Sequence, residues 1–180
     1  MRHKPQQERS ERMLERIQDA ALSVLTKRGS EHLTTRHVAD YAGISVGTLY
    51  HYFANKSELL HNLEQRYIRE LIEALQQATP DMVRTDVGSA IRQIAEIYHQ
   101  SLVRDGGRWL VLLRQLMRRG MSITAQIEQT LGQIALQYLS VHPELAHVRD
   151  FPRVVYILFN ACAFNPVSYT HLTLPTSDLV

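Results

Sequence analysis

The segment Thr34–Lys56 constrains the fold of this chain more than any other, because it encodes two short helices joined by a tight turn. Thr34 and Thr35 carry hydroxyl groups that can accept hydrogen bonds from the first free N–H groups of a helix. Gly43 can take the positive φ with which helices commonly end, and Ser45 is suited to starting the next helix. Two short helices joined by a glycine-containing turn predict a helix-turn-helix.

The second of these helices has the right size for the major groove of DNA. Leu49 and Phe53 lie four residues apart, so we expect them on its buried side. We expect the opposite side to meet bases or phosphates, and that side carries Val46, Gly47, Thr48, Tyr50 and His51. For Tyr50, and equally for Tyr52, packing in a small core is the alternative to a contact with DNA.

Four polar residues lie at the starts of the predicted helices, where free N–H groups point outward and stabilise a phosphate. We expect these residues mainly to bind phosphates, and they are Thr35, Arg36, Ser45 and Lys56. Asn55 has the side chain of a helix N-cap, and Glu58 three residues later is its expected reciprocal partner.

An enzyme is the alternative from another class. Gly43–Gly47 matches G-x-S-x-G, the nucleophile elbow of hydrolases, in which Ser45 would be the nucleophile. That motif needs a strand directly before it, whereas the residues before Gly43 have a helical pattern. His37 and Asp40 have a spacing that a metal site can use, but no suitable third ligand is visible. We expect no catalytic residue, metal or cofactor, since no phosphate-binding loop or dinucleotide fingerprint occurs either.

Taken as a whole, the chain predicts an all-α fold of eight helices in two groups. We expect a flexible arm over residues 1–10, a helix-turn-helix DNA-binding domain over 11–56 and a helical regulatory and dimerisation domain over 57–164. A long helix that begins beside the DNA should end at Thr79-Pro80. A later one should begin near Val83 and be closed by Gly106-Gly107, and the last should follow an Asp150 cap.

Residues 165–180 differ from the rest of the chain, because they contain two prolines, no Lys or Arg, and many Ser and Thr residues. We expect them to be a non-native or disordered tail. The chain has a single cysteine, which fits a reducing compartment, and no apolar run long enough to span a membrane. Its first residues are polar, unlike a signal peptide. We therefore expect a cytoplasmic protein.

The segment also resembles the amino-terminal domain of TetR-type transcriptional regulators. The resemblance is carried in register by Thr34–Arg36, Ala42–Ser45, Gly47–Phe53 and Lys56–Leu60. It implies a homodimer that binds a palindromic operator in double-stranded DNA, most often as a repressor that a small molecule releases. It also supports the DNA-binding roles given above. The family often has lysine where Val46 stands, so the resemblance implies that the phosphate or base contact of that lysine is absent here.

The resemblance further implies an unknown small-molecule effector bound in the second domain. The candidate lining is apolar and aromatic with one cation, and it comprises Tyr67, Tyr98, Trp109, Arg114, Met117, Met121 and Tyr138. Core packing is the alternative for the aromatic residues, and a solvated head group is the alternative for Arg114. A helix-turn-helix regulator without a small ligand, governed by a protein partner, is the second functional hypothesis.

Overall fold

A computed structural model describes residues 4–118, 124–148 and 150–163 of the chain. These residues form seven α-helices and two short 3-10 helices without any strand, which confirms the predicted all-α class. The 3-10 helices are Ser30–His32 and Pro143–His147. The α-helices are α1 (Lys4–Arg28), α2 (Thr35–Ala42), α3 (Val46–Tyr52), α4 (Lys56–Met82), α5 (Val87–Arg118), α6 (Thr124–Val141) and α7 (Phe151–Ala163).

The chain divides into two compact units. Unit 1 comprises Met1–Glu70 and Gln100–Ile123, and unit 2 comprises Leu71–His99 and Thr124–Val180. The division that the sequence predicts after residue 56 differs from this one, because α4 and α5 each contribute residues to both units. The DNA-binding helices predicted from the sequence all belong to unit 1.

The first helix is longer than the sequence indicates. α1 begins at Lys4, which corrects the expectation of a flexible arm through residue 10. Pro5 is compatible with a helical first turn, and the Gln, Glu and Arg residues that follow it are good helix formers. α1 ends as predicted at Gly29, whose φ is 85° and whose amide donates to the carbonyl of Leu25 at 3.1 Å.

The fourth helix continues through the predicted stop at Thr79-Pro80 and ends at Met82, so that prediction is wrong. Pro80 lies in the last turn, and the carbonyl that it leaves without an N–H partner belongs to an exposed residue four positions earlier. The hydroxyl of Thr79 donates to the carbonyl of Leu75 at 2.7 Å. The helix tolerates Pro80, because only two residues of α4 follow it and few backbone hydrogen bonds are affected.

The fifth helix is interrupted where the paired glycines predict a stop. Arg104–Gly107 depart from helical torsion angles, and φ is 56° at Asp105, 72° at Gly106 and 75° at Gly107. The helix begins at Val87, later than the predicted start, because Asp86 caps it: the Ser89 amide donates to Asp86 Oδ1 at 3.0 Å.

The last described helix begins directly after Asp150, as predicted, with Pro152 in its first turn. The Asp150 carbonyl accepts the first hydrogen bonds of the helix, from the amides of Arg153 at 2.9 Å and Val154 at 3.1 Å. The predicted tail over 165–180 lies outside the described residues. Among the helices that are described, none combines the length and hydrophobicity needed to cross a membrane.

Each unit has its own set of buried apolar side chains. In unit 1 they come from α1 to α4 and from the second part of α5, and they include Ile17, Leu25, Val38, Leu49, Leu60, Leu63, Tyr67, Trp109, Leu112 and Leu116. In unit 2 they include Leu75, Met82, Ile94, Leu131, Ile134, Tyr138, Phe151 and Phe159. Burial of α3 through a fully buried leucine fixes which of its faces remains outside.

We predict that Leu49→Ala lowers the free energy of unfolding of unit 1 by about 2 to 5 kcal/mol, because it leaves a cavity among fully buried neighbours. Denaturant titration followed by helical circular dichroism, which reports on both units, measures this loss. Leu136→Ala is the chemically matched control, since Leu136 is 61% exposed, and surface changes usually stay within about 0.5 kcal/mol. Equal losses in the two variants would contradict the prediction.

Candidate nucleic-acid interface

The start of α2 is fixed by the residue that the sequence predicts. The Thr34 hydroxyl accepts a hydrogen bond from the His37 amide at 3.2 Å, which satisfies one of the free donors of the first turn. α2 then turns Val38, Ala39 and Ala42 into the core. These small side chains allow α2 to pack closely in unit 1.

The turn between α2 and α3 is made by a left-handed glycine followed by a serine cap. Gly43 has φ 62° and ψ 41°, and its amide donates to the Asp40 carbonyl at 3.2 Å. A side chain there would be strained, and its Cβ would lie 2.9 Å from Nη2 of Arg16. Ser45 Oγ then accepts from the Thr48 amide at 2.9 Å and starts α3.

The inward and outward faces predicted for α3 are confirmed. Leu49 is fully buried and Phe53 at the end of the helix is nearly so. On the other side Val46 is 36% exposed and Tyr50 is 52% exposed. Gly47 and His51 are exposed as well, and Thr48 is half-buried. α3 therefore presents a continuous surface of small and hydrogen-bonding residues.

Hydrogen bonds within unit 1 orient several polar groups of that surface. The hydroxyls of Ser45 and Thr48 lie 2.8 Å apart, and the Tyr50 hydroxyl lies 3.3 Å from the Thr35 hydroxyl. The second pair joins the outer side of α3 to the start of α2. The Tyr50 ring is thus held on the outer side of α3. Half of its surface is exposed, which favours a DNA contact over core packing.

The two predicted phosphate-binding cations have different surroundings. Arg36 is exposed on α2. Lys56 is half-buried, and its ammonium group donates to the carbonyl of Ser30 at 2.6 Å. Lys56 therefore connects the start of α4 to the 3-10 helix that precedes α2, a contact that the sequence does not predict.

The cap of α4 differs from its prediction in one detail. Asn55 Oδ1 accepts from the Glu58 amide at 2.9 Å, as expected for the N-cap. The Glu58 carboxylate reaches back to the amide of Ala54 at 2.6 Å, one residue earlier than the expected partner. Both free donors are satisfied, so the start of α4 next to α3 is well defined.

Arg66 is the residue of unit 1 that sequence reasoning missed. Its guanidinium group donates to Asp19 Oδ1 at 2.9 Å and to Gln18 Oε1 at 3.1 Å on α1, and to Glu70 Oε1 at 2.8 Å on α4. Desolvation lowers the pKa of Arg66, but the hydrogen bonds to Glu70 and Asp19 more than offset it, so the pKa is raised. The guanidinium remains charged and holds α1 against α4.

The same charge network reaches α5 within unit 1. The other carboxylate oxygen of Glu70 accepts from Arg104, which stands at the interruption of α5. The Arg66 guanidinium also lies 5.5 Å from the ring centre of Trp109. From the sequence, only the i, i+4 spacing of Arg66 and Glu70 indicates any of these contacts.

The hydrolase alternative lacks its structural context here. The residues before Gly43 form α2, whereas a nucleophile elbow follows a strand. Ser45 Oγ is engaged in capping α3 through the Thr48 amide. The G-x-S-x-G match is thus accounted for by the helix-turn-helix.

The candidate ligand residues fall into different units. Tyr67 and Trp109 are buried in unit 1 with their ring centres 5.6 Å apart, and the Tyr67 hydroxyl lies 3.0 Å from that of Ser101. Tyr98 and Tyr138 belong to unit 2. Arg114 is exposed. The side chain of Met117 is not described, and Met121 lies outside the described residues.

Unit 2 contains a small apolar cavity lined by one of these candidates. Tyr138 borders it together with residues that include Met82, Ile94, Phe151 and Val155. Its volume is about 20 Å³, far below the roughly 300 Å³ at which ligand pockets begin. The Tyr138 hydroxyl donates to the Thr85 carbonyl at 2.8 Å. This tyrosine thus lines the cavity with its hydroxyl group already hydrogen-bonded.

Comparison with known proteins is consistent with this geometry. The family described as "Bacterial regulatory proteins, tetR family" matches residues 17–63. The fatty acid metabolism regulator protein of Bacillus subtilis is 27% identical over 127 residues, which are 69% of this chain and 61% of that protein. The transcriptional repressor KstR of Mycobacterium tuberculosis is 49% identical over 45 residues, which are 25% of this chain and 20% of the repressor.

The fold has a counterpart among solved structures. The TetR family transcriptional regulator PfmR of Thermus thermophilus superposes with a TM-score of 0.61 at 18% identity, over 83% of this chain and 82% of that one. The chain spans 61% of the length of the Bacillus subtilis relative and 20% of the length of KstR. The amino-terminal match includes α2, α3 and the surface described above.

Burial raises the pKa of Tyr98 to about 12, and its ring packs edge-on against Phe159 at 5.2 Å. A raised pKa means that the folded state favours the neutral phenol. The stability that Tyr98 contributes in this way is fully present below pH 10, the approximate pKa of a tyrosine in the unfolded chain. We predict that it is lost between pH 10 and 12, at up to about 1.4 kcal/mol of unfolding free energy per pH unit. Tyr98→Phe should give a shallower profile than the unsubstituted chain in urea titrations over that range. Profiles of equal slope would show that Tyr98 does not contribute.

Proposed function

We propose that the chain is a sequence-specific DNA-binding transcriptional regulator, because its residues 17–63 match the tetR family of bacterial regulatory proteins. The observation that carries the proposal is the shape of α3. One side of this helix is anchored by the fully buried Leu49. The other side is open over Val46, Gly47, Tyr50 and His51.

This surface suits the major groove for physical reasons. A recognition helix enters the groove with its first residues toward the base edges, while the preceding helix crosses the sugar-phosphate backbone. Gly47 adds no side chain between the helix and the bases. Tyr50 and Thr35, whose hydroxyls are paired, and the exposed Arg36 lie on α3 and α2, where phosphates are the expected partners.

Electrostatics support the same assignment in a modest way. Residues 1–56 contain nine Lys and Arg and six Asp and Glu, a net charge of +3, whereas the whole chain has +2. The remaining residues therefore carry a net charge of −1. A basic front part is favoured near the phosphate backbone, and a neutral remainder is not.

The proposal includes a homodimer that acts as a repressor on a palindromic operator. Two copies of α3 would then lie about 34 Å apart, one turn of DNA, so that each reads one half-site. The assignment as a repressor is supported by the similarity to KstR, which is named a transcriptional repressor. Activation, or control by a protein partner without a small ligand, is the alternative.

We also propose that a small molecule releases the DNA by binding in the helical part of the chain. Support comes from the apolar cavity of unit 2, whose present volume of about 20 Å³ requires side chains to move apart before a ligand can enter. A ligand that prefers such an opened state shifts the population toward it. Loss of retained DNA upon addition of a small compound is the measurement that tests this part.

The experiment that tests the DNA-binding function is selection from a random DNA pool, followed by mobility-shift titration of the selected sequence. We predict that Gly47→Glu abolishes specific retention, because the substitution brings bulk and a negative charge against the bases. A Cβ at Gly47 would meet only Ser45 Oγ, at 3.7 Å, so the helix itself should tolerate a side chain.

Gly132→Glu is the matched control for this substitution. Gly132 lies in the helix α6 with no atom within 4 Å of an added Cβ, so it receives the same group in an open place. We expect Gly132→Glu to retain specific binding and both variants to keep the helical circular dichroism of the unsubstituted chain. Retention by Gly47→Glu at fixed salt would show that α3 is not the reader.

Substitution of Lys56 tests whether this residue binds a phosphate or has a structural role. If it binds a phosphate, Lys56→Met weakens binding to all sequences alike and reduces the slope of log K against log salt by about 1 per subunit. If its main role is the hydrogen bond to Ser30, the variant lowers the unfolding temperature and leaves the slope unchanged. We predict the reduced slope, and an altered base preference would contradict both roles.

A further inference from the structure

We propose that Val46 recognises the C5-methyl group of a thymine and is thereby a specificity-determining residue of α3. The proposal rests on the DNA-binding function inferred above and adds what the first residue of the reading helix recognises. Its starting point is that a valine side chain is 36% exposed on the surface that faces away from the core. Valine has neither a donor nor an acceptor with which to bind a phosphate or a polar base edge.

The polar side chains near Val46 are already hydrogen-bonded to other groups of the protein. Ser45 and Thr48 share a hydrogen bond of 2.8 Å between their hydroxyls, and Ser45 Oγ also caps the helix. The Tyr50 hydroxyl is paired with that of Thr35 at 3.3 Å. The hydroxyl groups nearest to Val46 are therefore hydrogen-bonded within the protein, whereas Val46 itself is 36% exposed.

Gly47 makes the approach possible. It follows Val46 directly, it is exposed, and a Cβ built on it would meet only Ser45 Oγ, at 3.7 Å. A base pair can thus come close to the backbone beside Val46 without displacing a side chain. The valine methyl groups can then reach the floor of the groove although the side chain is short.

The chemistry of the major groove selects the partner. Guanine, cytosine and adenine present hydrogen-bonding groups there, and thymine adds the one apolar group, its C5-methyl. Valine placed against a donor or acceptor would displace water without replacing its hydrogen bond. Against the thymine methyl it removes apolar surface from water on both sides. The structure thus assigns to Val46 a preference for a T·A pair, with the thymine methyl toward the protein.

The test removes the methyl group alone. In the sequence selected from the random pool, each thymine is replaced in turn by deoxyuridine, which keeps every hydrogen-bonding group. We expect one such replacement per half-site to weaken binding of the full chain by about fourfold, the effect of one buried methyl group. The Val46→Ala variant should bind the thymine operator more weakly and bind the thymine and deoxyuridine forms of that position equally well.

Val103→Ala is the matched control, because Val103 is an exposed valine of the same unit, 42% accessible, on α5. It should retain the full preference for thymine over deoxyuridine. A chain that binds its selected sequence but is insensitive to every replacement overturns the proposal, and so does Val46→Ala if it keeps the preference of the unsubstituted chain. Failure of the chain to select any sequence overturns the DNA-binding function and the proposal with it.

Discussion

The left-handed turn between α2 and α3 is the constraint on which the candidate interface depends. Gly43 adopts φ 62°, and Ser45 starts the next helix two residues later by accepting from the Thr48 amide. Together they fix the axis of α3, and the burial of Leu49 then fixes its rotation about that axis. With direction and rotation both set, Val46, Gly47, Tyr50 and His51 have no alternative but to face outward.

Charge contacts hold the rest of unit 1 around this turn. Arg66 bonds to α1 through Asp19 and to its own helix through Glu70, and Glu70 also accepts from Arg104 at the interruption of α5. A guanidinium group shared among such acceptors is more confined than one in an isolated surface pair, so less side-chain entropy is lost for each bond. α1, α4 and α5 are thereby held together in the unit in which α2 and α3 bury Val38 and Leu49.

Unit 2 has a different physical character. Its core is apolar and contains a cavity of about 20 Å³, and the hydroxyl group of Tyr138, which borders the cavity, donates to the Thr85 carbonyl. Among the aromatic residues expected to line a ligand pocket, Tyr67 and Trp109 are buried in unit 1 and Tyr138 is buried in unit 2. Apolar residues at helical spacing predict burial, but they do not indicate which core buries them.

The sequence by itself determined the helix-turn-helix, since Thr34, Gly43, Ser45 and Asn55 each act on backbone groups within four residues. The inward and outward faces of α3 followed from the helical period for the same reason. Only the tertiary structure decided that Lys56 bonds to Ser30, 26 residues away, and that Arg66 bonds to Asp19, 47 residues away. Caps and turns are local interactions that residue type specifies, whereas the partners of long polar side chains depend on how helices distant in sequence come together.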